Sequence, residues 1–237
     1  MINIFKIKKK KEAEKPSLPN PNSYMRSFNE TIYYAAIDPR MTQRELVAHV
    51  QTAVDNKLYA IMVPSCFVDY VCDIVHERYN DCIMVTSVID FPLGSSTIAQ
   101  KKAMLKMVAK SGAQEVDYVI NMHRAKDKEF SYITHEAKAL VKTNKKVKIN
   151  AIIEAAYFDN FELAELSKAL VKGKVNSVVS STGYAPNGVE ADKLEIVSNV
   201  LDGTKVVLRA QGGIKTRAQA ESYLRSGATF IGTSRII

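Results

Sequence analysis

The chain has 237 residues, of which 46% are apolar and 24% are charged, as in an ordinary globular protein with a large core. This composition excludes a disordered, collagen-like or membrane-embedded chain. The net charge of +8 by itself favours an anionic partner, but residues 1–20 hold six lysines and two glutamates and therefore half of that excess.

Residues 1–25 are predicted to form a disordered Lys/Pro-rich tail, because their Lys/Glu run and their prolines show no apolar periodicity. No aromatic residue interleaves the lysines as stacking on bases requires, so nucleic acid is not the expected partner. No apolar run approaches the ~20 residues that span a bilayer, which predicts no membrane association. Three cysteines without a C-x-x-C pair favour the reducing cytoplasm.

From Thr31 onward, short apolar runs of strand character alternate with amphipathic helical stretches. Eight strands are predicted, at 31–37, 58–63, 82–88, 115–120, 147–153, 175–179, 205–209 and 229–231. Seven helices are predicted between them, at 43–55, 67–78, 98–110, 132–142, 161–170, 192–201 and 216–225.

This alternation predicts parallel strands joined by right-handed crossovers, and eight such units suit a closed barrel better than an open sheet. Residues 26–237 are therefore predicted to form a single α/β domain, a (β/α)8 TIM barrel. A dinucleotide-binding fold is disfavoured because no G-x-G-x-x-G follows the first strand. Only residues 232–237 follow the last predicted strand, so the eighth helix is expected to be truncated or missing.

Polar residues follow the predicted strands at the end where a barrel carries its active site. Asp117 and Asn121 are assigned to the end of strand four, Glu154 to the end of strand five and Arg209 to the end of strand seven. Segments 180–184, 209–214 and 232–234 combine glycines with polar side chains. Since glycine lets an anion approach backbone N–H groups closely, the pattern predicts a phosphate site at loops six to eight.

Six stretches carry a more specific pattern: VIDFPLG at 88–94, GAQEVDYVIN at 112–121, IIE at 152–154, STGY at 181–184, QGGI at 211–214 and SGATFIGTS at 226–234. In order and spacing they resemble the deoxyribose-phosphate aldolases of the class I, Schiff-base type. The resemblance implies a TIM barrel with a pocket for a phosphorylated sugar. It places the phosphate-binding positions of the family on Gly183, Gly212, Gly213, Gly232 and Ser234.

The same resemblance sets different residues at the catalytic positions of the family. Val179 stands at the Schiff-base lysine and Arg209 at the second lysine, so neither position supplies an amine that can form an iminium. Arg209 also stays protonated and cannot shuttle a proton. Asn150 stands at a lysine of strand five, and Tyr33-Tyr34-Ala35 at an acid-bearing segment of strand one. Asp117 retains the carboxylate of the family.

No other lysine is expected to take over this chemistry. Lys148, Lys174 and Lys205 begin their strands and so are predicted at the floor of the barrel, away from its mouth. The four histidines lack the spacing of metal ligands, which predicts no metal site, and no cofactor is expected.

Three functions are open at this point. The first is a degenerate aldolase-like barrel that binds a phosphorylated sugar or another small phosphate ester without Schiff-base chemistry. The second is an isomerase or lyase in which Asp117 and Glu154 form an acid/base pair and Arg209 holds an anionic group. The third is a non-catalytic scaffold or regulatory protein. A buried Asp117–Arg209 ion pair is an equally good reading of those two residues, and a homo-oligomer is left open.

Overall fold

A computed structural model describes residues 27–237 of the chain. The tail predicted for residues 1–25 lies outside the described residues. Within the described part, no helix combines the length and the apolar character that crossing a bilayer requires.

Eight strands form one closed barrel in which every neighbouring pair is parallel. They are β1 (Ile32–Ala35), β2 (Ala60–Val63), β3 (Met84–Ile89), β4 (Glu115–Val119), β5 (Lys148–Ile152), β6 (Ser177–Val179), β7 (Val207–Gln211) and β8 (Phe230–Thr233). The strands follow one another in chain order, and β8 pairs with β1 to close the barrel. The predicted (β/α)8 architecture is confirmed.

The helices cover the outside of the barrel. They are α1 (Gln43–Asp55), α2 (Val68–Tyr79), α3 (Ile98–Lys110), α4 (Met122–Lys126), α5 (Phe130–Thr143), α6 (Asn160–Gly173), α7 (Ala191–Leu201) and α8 (Arg217–Arg225). No helix follows β8 within residues 27–237. Helix α4 was not predicted, because its five residues are too few to show an apolar period.

Several helices begin at capping boxes, which fix where the loop after a strand ends. In each box the first side chain accepts from the backbone N–H three residues later, and the side chain there accepts from the backbone of the first residue. The boxes pair Thr42 with Glu45, Thr97 with Gln100, Asp159 with Glu162, and Thr216 with Gln219. Removing one such cap costs about 1 kcal/mol.

Strand residues alternate between the helical layer and the barrel interior. On β4, Val116 and Tyr118 belong to the core beneath the helices, whereas Glu115, Asp117 and Val119 point inward. An apolar cluster near the N-terminal ends of the strands contains Tyr33, Ala60, Met84 and Phe230. A second apolar cluster at the opposite ends contains Val119, Ile152 and Val179. Buried polar side chains lie between these two clusters.

Asp117 and Arg209 lie inside the barrel and not in its loops. Each is the third residue of a five-residue strand. The assignment of Asp117 and Arg209 to strand ends was wrong. Asp117 lies in the middle of β4, within the predicted strand 115–120, and β7 continues two residues beyond the predicted end at Arg209.

A buried lysine fastens the segment that follows β3. Lys101 of α3 donates to the Val119 carbonyl at 2.6 Å and to Glu136 Oε1 of α5 at 2.8 Å, and its Nζ lies 3.2 Å from Asp90 Oδ2. Asp90 also accepts from the Ser96 hydroxyl at 2.7 Å. The segment between β3 and α3 is thereby attached to the helical layer.

Candidate functional site

The barrel interior holds a buried ion pair between β4 and β7. Arg209 Nη2 donates to Asp117 Oδ2, and both side chains are fully buried. Burial raises the pKa of the Asp117 carboxyl, while the Arg209 guanidinium and the Asn150 amide oppose that rise. The structure therefore brings two of the three predicted catalytic residues, Asp117 and Arg209, together as an ion pair.

Asn150 connects this ion pair to a second carboxylate. Its Nδ2 donates to Asp117 Oδ1 at 2.9 Å and to Glu115 Oε2 at 3.0 Å. Glu115 also accepts from the Tyr33 hydroxyl at 2.8 Å and from Lys148 Nζ at 2.8 Å. Since Lys148 begins β5, the network runs from the middle of the barrel to its floor.

An open cleft of about 660 Å³, called cleft one below, lies at the mouth of the barrel. Its walls include segments 37–41, 182–184, 211–215 and 232–235, which follow or end β1, β6, β7 and β8. All five residues predicted to bind phosphate line this cleft: Gly183, Gly212, Gly213, Gly232 and Ser234.

Backbone N–H groups on these walls differ in whether they are engaged. The N–H groups of Gly213 and Ser234 donate to no other residue in the described part of the chain. The Gly183 N–H, in contrast, donates to Ser181 Oγ at 3.0 Å. Gly213 has a φ of 73°, which favours glycine, and follows Gly212 with a φ of 113°. Gly213 and Ser234 are thus among the amides that an anion could accept from without displacing an internal bond.

Gln211 adds an acceptor at the base of cleft one. A Cβ on Gly232 would lie 2.2 Å from Gln211 Oε1, so the glutamine side chain passes over a position that only glycine can occupy. Gln211 Nε2 donates to the Ser181 carbonyl at 3.2 Å. Its Oε1 is buried and has no hydrogen-bond partner among residues 27–237.

Three cationic side chains line cleft one, and one of them is neutralised. Arg40 donates to Asp38 through Nε at 3.0 Å and through Nη2 at 2.7 Å, and these bonds lower the pKa of the Asp38 carboxyl to about 2. Lys215 and Arg235 form no ion pair with another described residue. These cations were not predicted, although Lys215 directly follows the glycine motif at 211–214 and Arg235 lies two residues beyond β8.

Known proteins resemble the chain in sequence and in fold. The deoxyribose-phosphate aldolase of Mycoplasmopsis synoviae is 27% identical over 213 residues, which cover 89% of this chain and 94% of that protein. The solved structure of QR15, an aldolase, superposes with a TM-score of 0.83 at 25% identity and covers 89% of this chain and 92% of that one. These similarities in sequence and fold support a relationship of the chain to the deoxyribose-phosphate aldolases.

Two further findings complete the comparison. The tetrameric deoxyribose phosphate aldolase of Aeropyrum pernix has the same fold, with a TM-score of 0.80 at 22% identity over 87% of this chain and 86% of that chain. No family model matches the chain.

The last residue of β6, Val179, lies within an apolar plug. Val179 packs with Val119 and Ile152, and all three are fully buried. Phe91 and Met122 pack against them from the mouth. An uncharged, branched side chain therefore stands beside Arg209, its register partner on β7.

Glu154 has a role that the sequence did not suggest. It is buried, has a φ of 48°, and accepts hydrogen bonds from the hydroxyls of Ser181 and Thr182 and from the Thr182 N–H at 3.2 Å. Because both hydroxyl protons point at Glu154, the hydroxyl oxygens accept from the N–H groups of Gly183 and Tyr184. Glu154 thus orders the loop after β6 and does not contact Asp117.

His123 lies on α4 near the mouth. Among residues 27–237, no three His, Cys, Asp or Glu side chains are grouped so that they could hold a metal ion.

Proposed function

We propose that the chain binds a phosphorylated sugar, or another small phosphate ester, in cleft one and does not carry out Schiff-base aldol cleavage. The observation that carries this proposal is the meeting of two unengaged N–H groups, Gly213 and Ser234, with the cations Lys215 and Arg235 on one wall of cleft one. Backbone donors and cations together form an anion site.

The chemistry of cleft one fits both parts of a sugar phosphate. Its volume of about 660 Å³ lies in the range of small-molecule sites. The phosphate would accept from Gly213 and Ser234, and a sugar hydroxyl would donate to the unpartnered Gln211 Oε1. Filling that acceptor is favourable, because a buried polar atom without a partner costs about 1–3 kcal/mol.

The side chains inside the barrel support the proposed lack of Schiff-base chemistry. A Schiff base requires a neutral amine next to the substrate carbonyl. Val179 offers no amine, and the Arg209 guanidinium is buried against Asp117. Lys148 Nζ lies at the opposite end of the barrel and donates to Glu115.

Calorimetric titration with inorganic phosphate and with 2-deoxyribose 5-phosphate tests the binding. We expect Lys215→Ala and Arg235→Ala each to weaken phosphate binding about tenfold, the usual loss for one charge-assisted contact. Lys106→Ala, on the exposed face of α3, is the matched control and should bind normally. If neither compound binds the unaltered protein at millimolar concentration, the binding proposal is wrong.

Borohydride trapping tests the chemistry separately. The protein is incubated with 2-deoxyribose 5-phosphate and sodium borohydride, and its intact mass is measured beside that of an active Schiff-base aldolase. We expect the control to gain the mass of the reduced adduct and this chain to remain unchanged. An adduct on any lysine would refute the loss of Schiff-base chemistry.

No observation favours the isomerase or lyase alternative, because Asp117 and Arg209 are buried and paired with each other while Glu154 is engaged by the loop after β6. A homo-oligomeric state and a cytoplasmic location are part of the same proposal. The tetramer of Aeropyrum pernix is a precedent for the first. Exposed thiols at Cys66 and Cys82 support the second, since such thiols persist in a reducing compartment.

A further inference from the structure

A second cleft, called cleft two below, adjoins cleft one at the barrel mouth. It has a volume of about 590 Å³ and lies over the loops that follow β3, β4, β5 and β6. Thr182 and Tyr184 line both clefts. A ligand held in cleft one can therefore extend past these two residues into cleft two.

The walls of cleft two are largely apolar. Three of its side chains are large, hydrophobic and exposed: Leu93 at 70%, Tyr157 at 50% and Tyr184 at 59%. The Tyr184 ring packs edge-on against Phe91, with the ring centres 5.5 Å apart, so the tyrosine has a defined position. Exposed apolar side chains that are scattered singly over a surface are normal, whereas a group of them around one depression indicates a binding site.

The charged groups in cleft two are already engaged. Lys126 Nζ donates to the Tyr157 carbonyl at 2.9 Å and to Glu162 at 3.3 Å. Glu154 accepts from the loop after β6. Of the titratable side chains that line cleft two, His123, Tyr157 and Tyr184 make no side-chain hydrogen bond or ion pair within the described residues. Cleft two therefore presents no available cation for a second phosphate.

The apolar plug lies beneath cleft two. Val119, Ile152 and Val179 are fully buried and pack together. Met122 packs against this plug and also lines cleft two. A ligand that extends from cleft one past Tyr184 into cleft two therefore lies near Met122.

We propose that cleft two binds the aromatic body of a phosphate monoester whose phosphate occupies cleft one. This inference rests on the proposed phosphate binding and adds the class of ligand. The anion is recognised by Gly213, Ser234 and Lys215, and the ring packs between Leu93 and the tyrosines. A sugar phosphate without an aromatic substituent would fill cleft one and leave cleft two unused.

Calorimetric titration with inorganic phosphate, 1-naphthyl phosphate and 1-naphthol tests the proposal. Burial of one ring face supports an affinity gain of about tenfold or more for 1-naphthyl phosphate over inorganic phosphate. 1-Naphthol, which lacks the anion, should bind at least about tenfold more weakly than its phosphate ester.

Variants in cleft two separate the two contributions. Leu93→Ser and Tyr157→Ser should bring the affinity for 1-naphthyl phosphate down toward that for inorganic phosphate and leave phosphate binding unchanged. The matched control is Met107→Ser, which removes a 71% exposed apolar side chain from α3. It should alter neither affinity. Circular dichroism of each variant shows that the fold is retained.

The outcomes distinguish this inference from the function on which it rests. If phosphate and 1-naphthyl phosphate bind equally well, the aromatic site is refuted and phosphate binding stands. If phosphate does not bind, both proposals fall. Tight binding of 1-naphthol equal to that of its phosphate ester would overturn the link between the two clefts.

Discussion

The guanidinium carbon of Arg209 lies 4.2 Å from the centre of the Tyr33 ring, and the hydroxyl of the same tyrosine donates to Glu115 at 2.8 Å. Tyr33 thus contacts a cation with its ring and an anion with its hydroxyl. Together with Asn150 and Asp117 these residues form a closed ring of contacts inside the barrel. Such a ring holds its charges in place and leaves none of the carboxylates free for a substrate.

Removing one member of the ion pair should destabilise the barrel strongly. Arg209→Leu leaves the Asp117 carboxylate buried without its cation, and we expect a loss of about 3–5 kcal/mol in the free energy of unfolding. The double variant Asp117→Leu/Arg209→Leu should lose clearly less than the sum of the single variants, since no buried charge then lacks a partner. Urea unfolding of the three variants measures the difference, and strictly additive losses would contradict the coupling.

Introducing a lysine at the plug should create a site that forms a Schiff base. In Val179→Lys the new amine lies among Val119, Ile152 and Met122, where burial lowers the pKa of a lysine and favours its neutral form. We expect a reduced adduct with acetaldehyde and borohydride at this lysine, together with a lower unfolding midpoint. Peptide mass mapping locates the adduct. Val178→Lys, on the neighbouring outward-facing residue, is the comparison and should give none there.

Gly213 can be tested against a glycine of similar backbone geometry. Gly213 and Gly203 have φ values of 73° and 70°, and an added Cβ has no close contact at either position. Alanine at either site should therefore cost about 1–2 kcal/mol of stability from backbone strain. Only Gly213→Ala should also weaken phosphate binding, because only Gly213 lines cleft one. Equal phosphate affinity in both variants would show that the anion does not depend on the backbone geometry at Gly213.

Asp38 is expected to restrain anion binding in cleft one. Hydrogen bonds from Arg40 lower the pKa of its carboxyl to about 2, so Asp38 stays charged at every pH where the protein is assayed. Asp38→Asn should release Arg40 and tighten phosphate binding several-fold, with no change in the pH dependence from pH 5 to 8. Asp73→Asn, on the exposed surface of α2, removes the same charge elsewhere and should have little effect.

Alkaline conditions should weaken the network at the barrel floor. Burial and the nearby Glu115 carboxylate raise the pKa of Tyr33 well above its ordinary value, so the folded state keeps a proton that the unfolded chain loses near pH 10. Burial lowers the pKa of Lys148, but the Glu115 carboxylate raises it by more, so the pKa is raised overall. The Lys148–Glu115 contact therefore stabilises the fold fully below about pH 10.4, and this stabilisation is lost as the pH rises through the pKa of the folded state. Both contributions reduce stability as the pH rises above about 10.

Urea midpoints from pH 8 to 11 measure this effect. Tyr33→Phe should flatten the alkaline decline and cost about 1.5–3 kcal/mol at pH 8 through the lost bond to a carboxylate. Tyr157→Phe, at an exposed tyrosine, should leave the profile as it is. An identical alkaline decline in Tyr33→Phe would show that deprotonation of Tyr33 does not contribute to the loss of stability.

Sequence periodicity was sufficient for the order and type of the main elements, because strands and helices here bury apolar residues at clearly different spacings. Helix α1 begins and ends where the pattern predicts. The position of Arg209 was misjudged because periodicity does not show how far β7 extends beyond the last apolar residue. Two residues of extension changed Arg209 from a rim residue into an interior one.

The parts of the candidate site formed by glycine motifs were predicted from the sequence. The parts that depend on contacts between distant residues were not. The spacing of glycine motifs located cleft one, since they end neighbouring strands. It did not show that the Gly183 N–H is occupied by Ser181, nor that Asn150 bridges two carboxylates. Cleft two has a weak signal in the sequence: Leu93, Tyr157 and Tyr184 are large apolar residues just after strands, where polar ones are usual.

The buried contacts of Lys101 bear on how cleft two would receive a ligand. Because Asp90 is held by Lys101 and Ser96, the neighbouring wall that carries Leu93 is already ordered before anything binds. Binding then requires little loss of backbone entropy in this wall, and a larger share of the contact energy is retained as affinity. Fast association with little rearrangement of the loop after β3 is the kinetic behaviour that such a wall favours.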